Sequence, residues 1–440
     1  MAGNPNSSAD RVRLGGLLWD RNFRWFWFGE TTSRVGSAMT SVAMPLVAVL
    51  VLNAGTFVVG LLQVFAWVPW LLFGLPAGAW IDRLPKKRVL LVCDVVSFVV
   101  FVSVPVAAWL GVLTTARLMV AALLAGVASV LFSTAYQPFL PSLVPARDLP
   151  EANAKLQGSE SAAGVVGPGL GGVVAQLFGA VTGLLGDALT FAVSALSLLR
   201  VRSPEPRQDR DQPRQALRRE IAEGLRFIVR DPYLRVLTAY AAAGNYSESI
   251  MEAVLVVFLV RSVGLEPGVV GVLIAARGLG GVVGAMLSSS VARRFGTARG
   301  MLLCEVCTVP FVLLMPLTGP GSRLVFFLIA AVIPLAGIVA SNIITASFRQ
   351  TYVPTYLLGR TTATARLVSY GSIPLGALTG ALLGQVFEPR EVIIIAAIAT
   401  TLSILVLLIG PLRRHRDFPN PAGAVVRDPS VTTMTDTPCA

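Results

Sequence analysis

Histidine, cysteine and charged residues are all scarce in this chain of 440 residues. It has one histidine and four cysteines, and only 14% of its residues are charged. Cys304 and Cys307 have the CxxC spacing of some zinc and redox sites, but they lie inside an apolar segment and no second pair accompanies them. We therefore expect no metal site and no disulfide framework. Cys93 and Cys439 are also expected to be unpaired.

The motifs of the common enzyme classes are missing as well. The chain has no GxxxxGK[ST] nucleotide-binding loop, no cluster of metal ligands and no nucleophile–base arrangement. We therefore expect neither enzymatic activity nor a bound cofactor. Any active process would have to use an ion gradient, because the loop needed to hydrolyse ATP is absent.

Apolar residues, in contrast, are unusually abundant. They make up 54% of the chain, and the mean hydropathy of +0.72 lies outside the range of soluble globular proteins. A spanning helix needs about 20 apolar residues, and in hydrocarbon only helices or closed barrels satisfy the backbone. The apolar segments are too long and continuous for barrel strands, so the sequence predicts an all-α membrane protein with twelve transmembrane helices. The predicted segments are 24–50, 56–80, 89–110, 116–138, 157–178, 180–200, 235–260, 267–291, 299–317, 323–346, 361–386 and 391–411.

Two charged loops between apolar segments are related to each other. GAWIDRLPKKR at 78–88 and SSVARRFGTAR at 289–299 align with an offset of 211 residues, which also relates Asp94 to Glu305. The prolines Pro145 and Pro354 agree with this offset to within two residues. The chain is therefore predicted to consist of two related six-helix halves.

Basic residues concentrate on one predicted side of the membrane. With both termini on one side, that side receives nearly all arginines and lysines, and the other side receives only four arginines. The positive-inside rule makes this side cytoplasmic, so we expect both termini in the cytoplasm. The net charge of +12 is then a topology signal, and no nucleic-acid partner is expected.

The predicted domains follow from these observations. Leucine and isoleucine recur at helical spacing over 217–228 with arginines between them, which predicts a helix on the inner membrane surface. The parts are a cytoplasmic N-terminal tail (1–17), an N-terminal six-helix bundle (18–200), a cytoplasmic linker with the surface helix (201–234), a C-terminal six-helix bundle (235–412) and a disordered cytoplasmic tail (413–440).

At this point the chain resembles a known family. The six-plus-six helices, the Arg-rich middle loop and the GxxxDRxxxK loop at 78–87 resemble the major facilitator superfamily. WFGETTSRVGSAMTSVAMPL (27–46), PFLPSLVPARDLPEANA (138–154) and VPTYLLGRTTATARL (353–367) are similar to its drug-efflux branch, which includes macrolide exporters and the enterobactin exporter. The resemblance covers roughly residues 18–412.

The resemblance implies secondary active export of a hydrophobic or amphipathic small molecule, such as a drug, an antibiotic or a siderophore-like metabolite. Proton antiport and alternating access are the implied mechanism, in a multi-pass monomer of the bacterial inner membrane. The expected partners are the small-molecule substrate, protons and membrane lipids. Import of a nutrient or lysophospholipid by the same fold is the first alternative, and a membrane enzyme or non-transporting receptor is the second.

The loop at 78–88 predicts a gate between the halves. Asp82 is suited to the positive N-terminal dipole of a helix in the other half, while Arg83 bridges to an acid. Asp94 and Glu305 occupy equivalent points of the repeat and are expected partners of loop arginines. For the other basic loop residues, setting the topology is the alternative. The predicted gating residues are Gly78, Asp82, Arg83, Asp94, Arg293, Arg294 and Glu305.

A glycine-rich run in the fifth segment, GVVGPGLGG at 164–172, resembles the antiporter motif of the superfamily. Small residues let helices approach closely and proline bends the axis, so the run predicts a sealing hinge against a neighbouring helix. The motif is associated with exporters. Ordinary close packing is the alternative. The hinge residues are Gly164, Gly167, Pro168 and Gly172.

Ionisable residues inside predicted spans are costly unless they are paired or hydrated. Glu30 and Arg34 are four apart on one helix face, as are Glu248 and Glu252. Glu248 and Arg277 lie at similar depths, so we predict that they pair in one state. Glu248 or Glu252 is then expected to take up a proton during transport, because a carboxylate that is alternately paired and unpaired changes its proton affinity. A static ion pair is the alternative.

The resemblance also implies a central cavity lined by the first, fourth, seventh and tenth helices. Large apolar and aromatic side chains with few polar anchors would suit a bulky amphipathic compound. Packing or lipid contact is the alternative for each of the candidates. These are Met39, Phe132, Tyr136, Tyr240, Asn245, Tyr246 and Asn342.

Overall fold

The computed structural model describes residues 16–74, 76–81, 84–202 and 217–419. Within these ranges the regular structure is helical, without strands. Twelve helices are long and apolar enough to cross a membrane, and they coincide with the twelve predicted segments.

Seven α-helices lie within the described residues of the N-terminal half. The Asp20 side chain caps the first of them by accepting a hydrogen bond from the Phe23 amide at 2.7 Å. The helices are α1 (Arg21–Leu46, continued by a π-helical turn Val47–Val51), α2 (Thr56–Phe73), α3 (Pro76–Ile81), α4 (Lys86–Trp109), α5 (Thr115–Leu143), α6 (Leu149–Phe178) and α7 (Ala180–Arg200).

The second predicted span, 56–80, is not one helix. α2 ends at Phe73, and the short α3 begins at Pro76. Proline has no backbone N–H to continue a helical ladder, and the first position of a helix needs none. Pro76 occupies that position in α3.

The linker helix and the C-terminal half follow the same plan. The helices are α8 (Leu217–Arg230), α9 (Pro232–Val257, continued by a π-helical turn Phe258–Ser262), α10 (Pro267–Phe295), α11 (Thr297–Thr308, continued by a 3-10 helix Val309–Leu317), α12 (Leu324–Tyr352), α13 (Thr355–Val386) and α14 (Pro389–Ile409). The change to 3-10 geometry after Thr308 coincides with Pro310, which lacks a backbone N–H.

Equivalent helices pack in the same way in the two halves. α1 packs against α6 and α7, as α9 packs against α13 and α14. The pair α2–α5 likewise corresponds to α10–α12. Between the halves, α6 packs on α10 and α2 packs on α13, which is again a symmetric arrangement.

We call the side on which α1 begins and α14 ends the terminal side, and the opposite side the distal side. Two polar contacts between the halves lie at the distal ends of the helices. The Gln176 amide in the last turn of α6 donates to the Glu266 carboxylate before α10 at 2.6 Å. Arg261, after α9, donates to the Ala54 carbonyl in the α1–α2 loop at 2.8 Å. The halves are therefore joined on the distal side.

The connecting segments on the terminal side pack against the C-terminal half. In α8, Glu223 pairs with Arg360 of α13 at 2.5 Å. After α14, the Asp417 carboxylate accepts from the Thr297 backbone amide at 2.8 Å, and Phe418 stacks on Phe348 with ring centroids 4.1 Å apart. Part of the segment predicted as a disordered tail thus contacts the start of α11, and its remainder from residue 420 lies outside the described residues.

Candidate functional site

A cavity of about 420 Å³ lies within the C-terminal bundle. Helices α9 to α14 all contribute to its wall. Much of the wall is apolar, including the methionines Met251, Met301 and Met315. Three of the predicted cavity residues, Tyr240, Asn245 and Asn342, also line it.

Arg277 of α10 joins the two acids of α9 in this cavity. Its guanidinium is hydrogen-bonded to the Glu248 carboxylate, and its Nη1 lies 2.9 Å from Glu252 Oε1. The structure thus brings Glu248 and Arg277 together, as the sequence predicts, and adds Glu252 to the pair. The cluster holds two carboxylates for one guanidinium.

Glu252 also contacts the other half of the molecule. Its Oε2 accepts a hydrogen bond from Gln63 Nε2 of α2 at 3.3 Å. Sequence reasoning missed Gln63, because its pairing depends on how α2 meets α9 and leaves no periodic signal in either segment.

Glu305 lies on the cavity wall but is almost fully buried. It accepts hydrogen bonds from the Tyr240 hydroxyl at 2.5 Å and from the Ser341 hydroxyl. Its repeat equivalent Asp94 accepts from the Ser194 hydroxyl at 2.7 Å, and its second oxygen has no partner among the described residues. Both acids are therefore directed into their own bundles.

The expected contacts between these acids and the loop arginines are not present in the described part of the chain. Arg293 donates to the Ser290 hydroxyl at 3.2 Å, and Arg294 lies over the Phe295 ring at 5.7 Å. Hydroxyls on neighbouring helices bind the two acids instead. A side chain at Gly78 would meet open space. Asp82 and Arg83 lie outside the described residues.

The N-terminal half has a second ionic cluster, on α1 and α6. Arg34 Nε pairs with Glu30 at 2.6 Å, as predicted, and Arg34 Nη1 lies 3.3 Å from Glu160. The guanidinium also lies over the Tyr136 ring at 5.9 Å. Glu160 was missed because helical spacing reveals only pairs within one segment. This cluster, too, holds two acids for one base.

The remaining cavity candidates pack within their bundles. The rings of Phe132 and Tyr136 stack with centroids 6.4 Å apart. Met39 is buried, with its terminal methyl against Gly186. The Tyr246 hydroxyl is 2.8 Å from that of Thr379 in α13.

The glycine run of α6 contacts two different neighbours. A Cβ at Gly172 would lie 2.6 Å from the Gly271 Cα of α10, and one at Gly167 would lie 2.4 Å from the Ala38 side chain of α1. Pro168 is buried between them. Gly164, in contrast, has open space around it, so only part of the predicted hinge is a close contact.

Comparisons with known proteins agree with this architecture. Residues 17–437 match a family model described as transmembrane secretion effector. The multidrug efflux pump Tap of Mycolicibacterium fortuitum is 30% identical over 362 residues, which are 80% of this chain and 86% of the pump. The enterobactin exporter EntS of Salmonella typhi is 26% identical over 408 residues, covering 90% of this chain and 94% of the exporter.

A solved structure shares the fold. A bacterial homologue of the iron transporter ferroportin in its inward-facing state superposes with a TM-score of 0.72 at 18% sequence identity. The superposition covers 88% of this chain and 98% of that one.

Proposed function

Since the chain belongs to the transmembrane secretion effectors of the major facilitator superfamily and is a multi-pass transporter of the bacterial plasma membrane, we propose that it exports a hydrophobic or amphipathic small molecule by proton antiport. The observation that carries this proposal is the cavity of about 420 Å³ inside the C-terminal bundle, with a cluster of two acids and one base in its wall. The efflux functions of Tap and EntS agree with the direction of transport.

The cavity wall suits a substrate with a large apolar part. Ligand pockets typically measure about 300–1,000 Å³ and are mainly apolar with a few placed polar groups. The side chains of Met251, Met301 and Met315 are flexible and polarizable, so the wall can adapt to different apolar shapes. Asn245 and Asn342 offer polar anchors.

The acidic cluster suits reversible proton binding. Glu248 and Glu252 share one arginine, so the cluster has an excess carboxylate when both are ionised. A proton on one of them removes a charge that is costly at this depth. Glu252 is also held by Gln63 of the other half, so its surroundings change when the halves separate. Proton binding is thereby coupled to the movement of the halves.

Alternating access supplies the transport cycle. With the termini in the cytoplasm, as the distribution of basic residues favours, the sealed distal side faces outward. This conformation, closed on the distal side, is then the one that takes up substrate from the cytoplasm. Opening the distal contacts α6–α10 and α2–α13 would release the substrate outside while Glu252 leaves Gln63 and takes up a proton.

Energised inside-out vesicles test this proposal directly. We expect addition of macrolides, phenicols, cationic dyes or catecholate siderophores to trigger proton release for one of these classes. Glu248→Gln and Glu252→Gln should each reduce this release about tenfold or more, because neither amide binds a proton. Asp148→Asn, at the half-buried terminal-side start of α6, is the matched control and should behave as wild type.

Two outcomes contradict the proposal. Wild-type rates in both glutamine variants would show that the cluster does not bind the transported proton. Substrate accumulation in right-side-out vesicles, without release in inside-out ones, would favour import instead of export.

A further inference from the structure

The charges in the wall of the C-terminal cavity are unequally matched. The ionisable side chains that line it are Glu248, Glu252, Arg277, Glu305, Arg349 and Arg366. All three carboxylates have partners: two contact Arg277, and Glu305 accepts from two hydroxyls. The charged side chains of the wall that have no hydrogen-bond or ion-pair partner among the described residues are therefore two arginines, Arg349 and Arg366.

Arg349 and Arg366 come from neighbouring helices, α12 and α13. Neither side chain has an ion-pair or hydrogen-bond partner in the part of the chain that the structure describes, and both line the cavity. Arg349 is half-buried near the terminal-side end of α12. Arg366 lies about 16 Å along α13 from its terminal-side start, at 1.5 Å per residue.

Setting the membrane topology does not by itself explain this pair. A topology signal is satisfied by arginines at separate positions, whereas Arg349, which is half-buried, and Arg366, which is exposed, line the same cavity. Charge within a span is costly unless it is paired or hydrated. Two neighbouring guanidinium groups offer the planar donors that bind carboxylates, phosphates and sulfonates most strongly.

We propose that the substrate is an amphipathic anion whose acidic group binds between Arg349 and Arg366. This inference rests on the proposed export function and specifies its substrate class. The apolar part of the molecule lies against Met251 and Met315, deeper in the same cavity. The N-terminal cluster offers no competing site, because its single arginine, Arg34, already contacts two acids.

A matched pair of fluorescent probes tests the inference. Dansyl-aminoundecanoic acid and its methyl ester share one apolar body, but only the acid is charged at neutral pH. We expect the purified protein in phosphatidylcholine nanodiscs to bind the acid about tenfold or more tightly than the ester. Arg349→Gln and Arg366→Gln should each weaken binding of the acid about tenfold and leave binding of the ester unchanged.

Arg323→Gln is the control variant. Arg323 is exposed at the distal end of the same bundle, immediately before α12. Its replacement should therefore affect the binding of neither probe. Thermal unfolding of each variant establishes that it is folded. Equal affinity for acid and ester, or no binding of either by folded protein, would overturn the inference.

The source of the anion and the export function are tested separately. If phosphatidylglycerol added to the discs displaces the acid from the wild-type protein, the arginine site is upheld with a lipid headgroup as its ligand. Absence of displacement would uphold it for a free substrate. Neither binding result depends on proton release from vesicles. The proposed export function can therefore be upheld even if the proposed anionic substrate class is overturned.

Discussion

Buried acids in this protein are held mainly by the hydroxyl groups of neighbouring helices. Glu305 and Asp94 are each 1% exposed and accept hydrogen bonds from Ser341 and Ser194 respectively. Because the duplicated loops align, the sequence places these two acids at equivalent points. It does not reveal their partners, because the serines lie 36 and 100 residues further along the chain. Which hydroxyl binds each acid depends on how the helices pack, and residue spacing along the chain does not predict that packing.

The role of Ser341 leads to the first prediction at this scale. Ser341→Ala removes a donor to a buried carboxylate and should lower the free energy of unfolding by about 1–3 kcal/mol. Ser347→Ala is the matched control on the same helix, because its exposed hydroxyl only bonds its own helix at Ile343. Denaturant titration of the detergent-solubilised protein measures both. Equal losses in the two variants would show that the Glu305 contact does not contribute to stability.

At the scale of single elements, α6 shows how far a motif can be interpreted. The run GVVGPGLGG predicts a close helix contact, and Gly167 and Gly172 provide it. The motif does not show that these glycines face two different helices, or that Gly164 faces neither. Helix existence and type follow from apolar length, whereas the face that each residue presents follows from the neighbours.

The second prediction compares two glycines of this run. Gly172→Ala places a methyl group 2.6 Å from the Gly271 Cα. The resulting overpacking should destabilise the closed distal contact by about 1–3 kcal/mol, so that it opens more often. Gly164→Ala meets nothing within 4 Å and shares the same gain in helix propensity. The control therefore isolates the effect of the contact.

Chemical labelling measures this difference. In a cysteine-free background, Thr56→Cys places a thiol in the distal contact between α2 and α13, where the wild-type side chain is 9% exposed. A membrane-impermeant maleimide applied from the distal side should label it faster with Gly172→Ala and at the unchanged rate with Gly164→Ala. Equal rates in the two variants would argue against a sealing role for Gly172.

At the scale of the whole molecule, the two halves are related helical bundles that contact each other at the distal side. Composition and loop charges predict twelve spans, two repeats and their sidedness. Contacts between the halves, such as Gln63 with Glu252 and Gln176 with Glu266, leave no trace in either repeat. They depend on the relative position of the halves, which the proposed transport cycle would change. The conformational state is therefore the part of the fold that the sequence could not predict.

A disulfide across the distal contact tests whether this position changes during the cycle. A Cβ at Gly268 would lie 3.7 Å from the Gln176 Cβ, close to the mean of about 3.8 Å for disulfides. Oxidised Gln176→Cys/Gly268→Cys should therefore lose transport and regain it on reduction, while still binding substrate from the terminal side.

The control disulfide joins two positions of the same half. Val236→Cys/Gly410→Cys has a Cβ separation of 3.3 Å within the C-terminal bundle, so oxidation should leave transport intact if that bundle moves as one unit. Loss of transport in both oxidised variants would point to flexibility inside the half as a requirement. Full transport by oxidised Gln176→Cys/Gly268→Cys would mean that α6 and α10 stay together throughout the cycle, and the substrate would then have to leave by a route other than the distal interface.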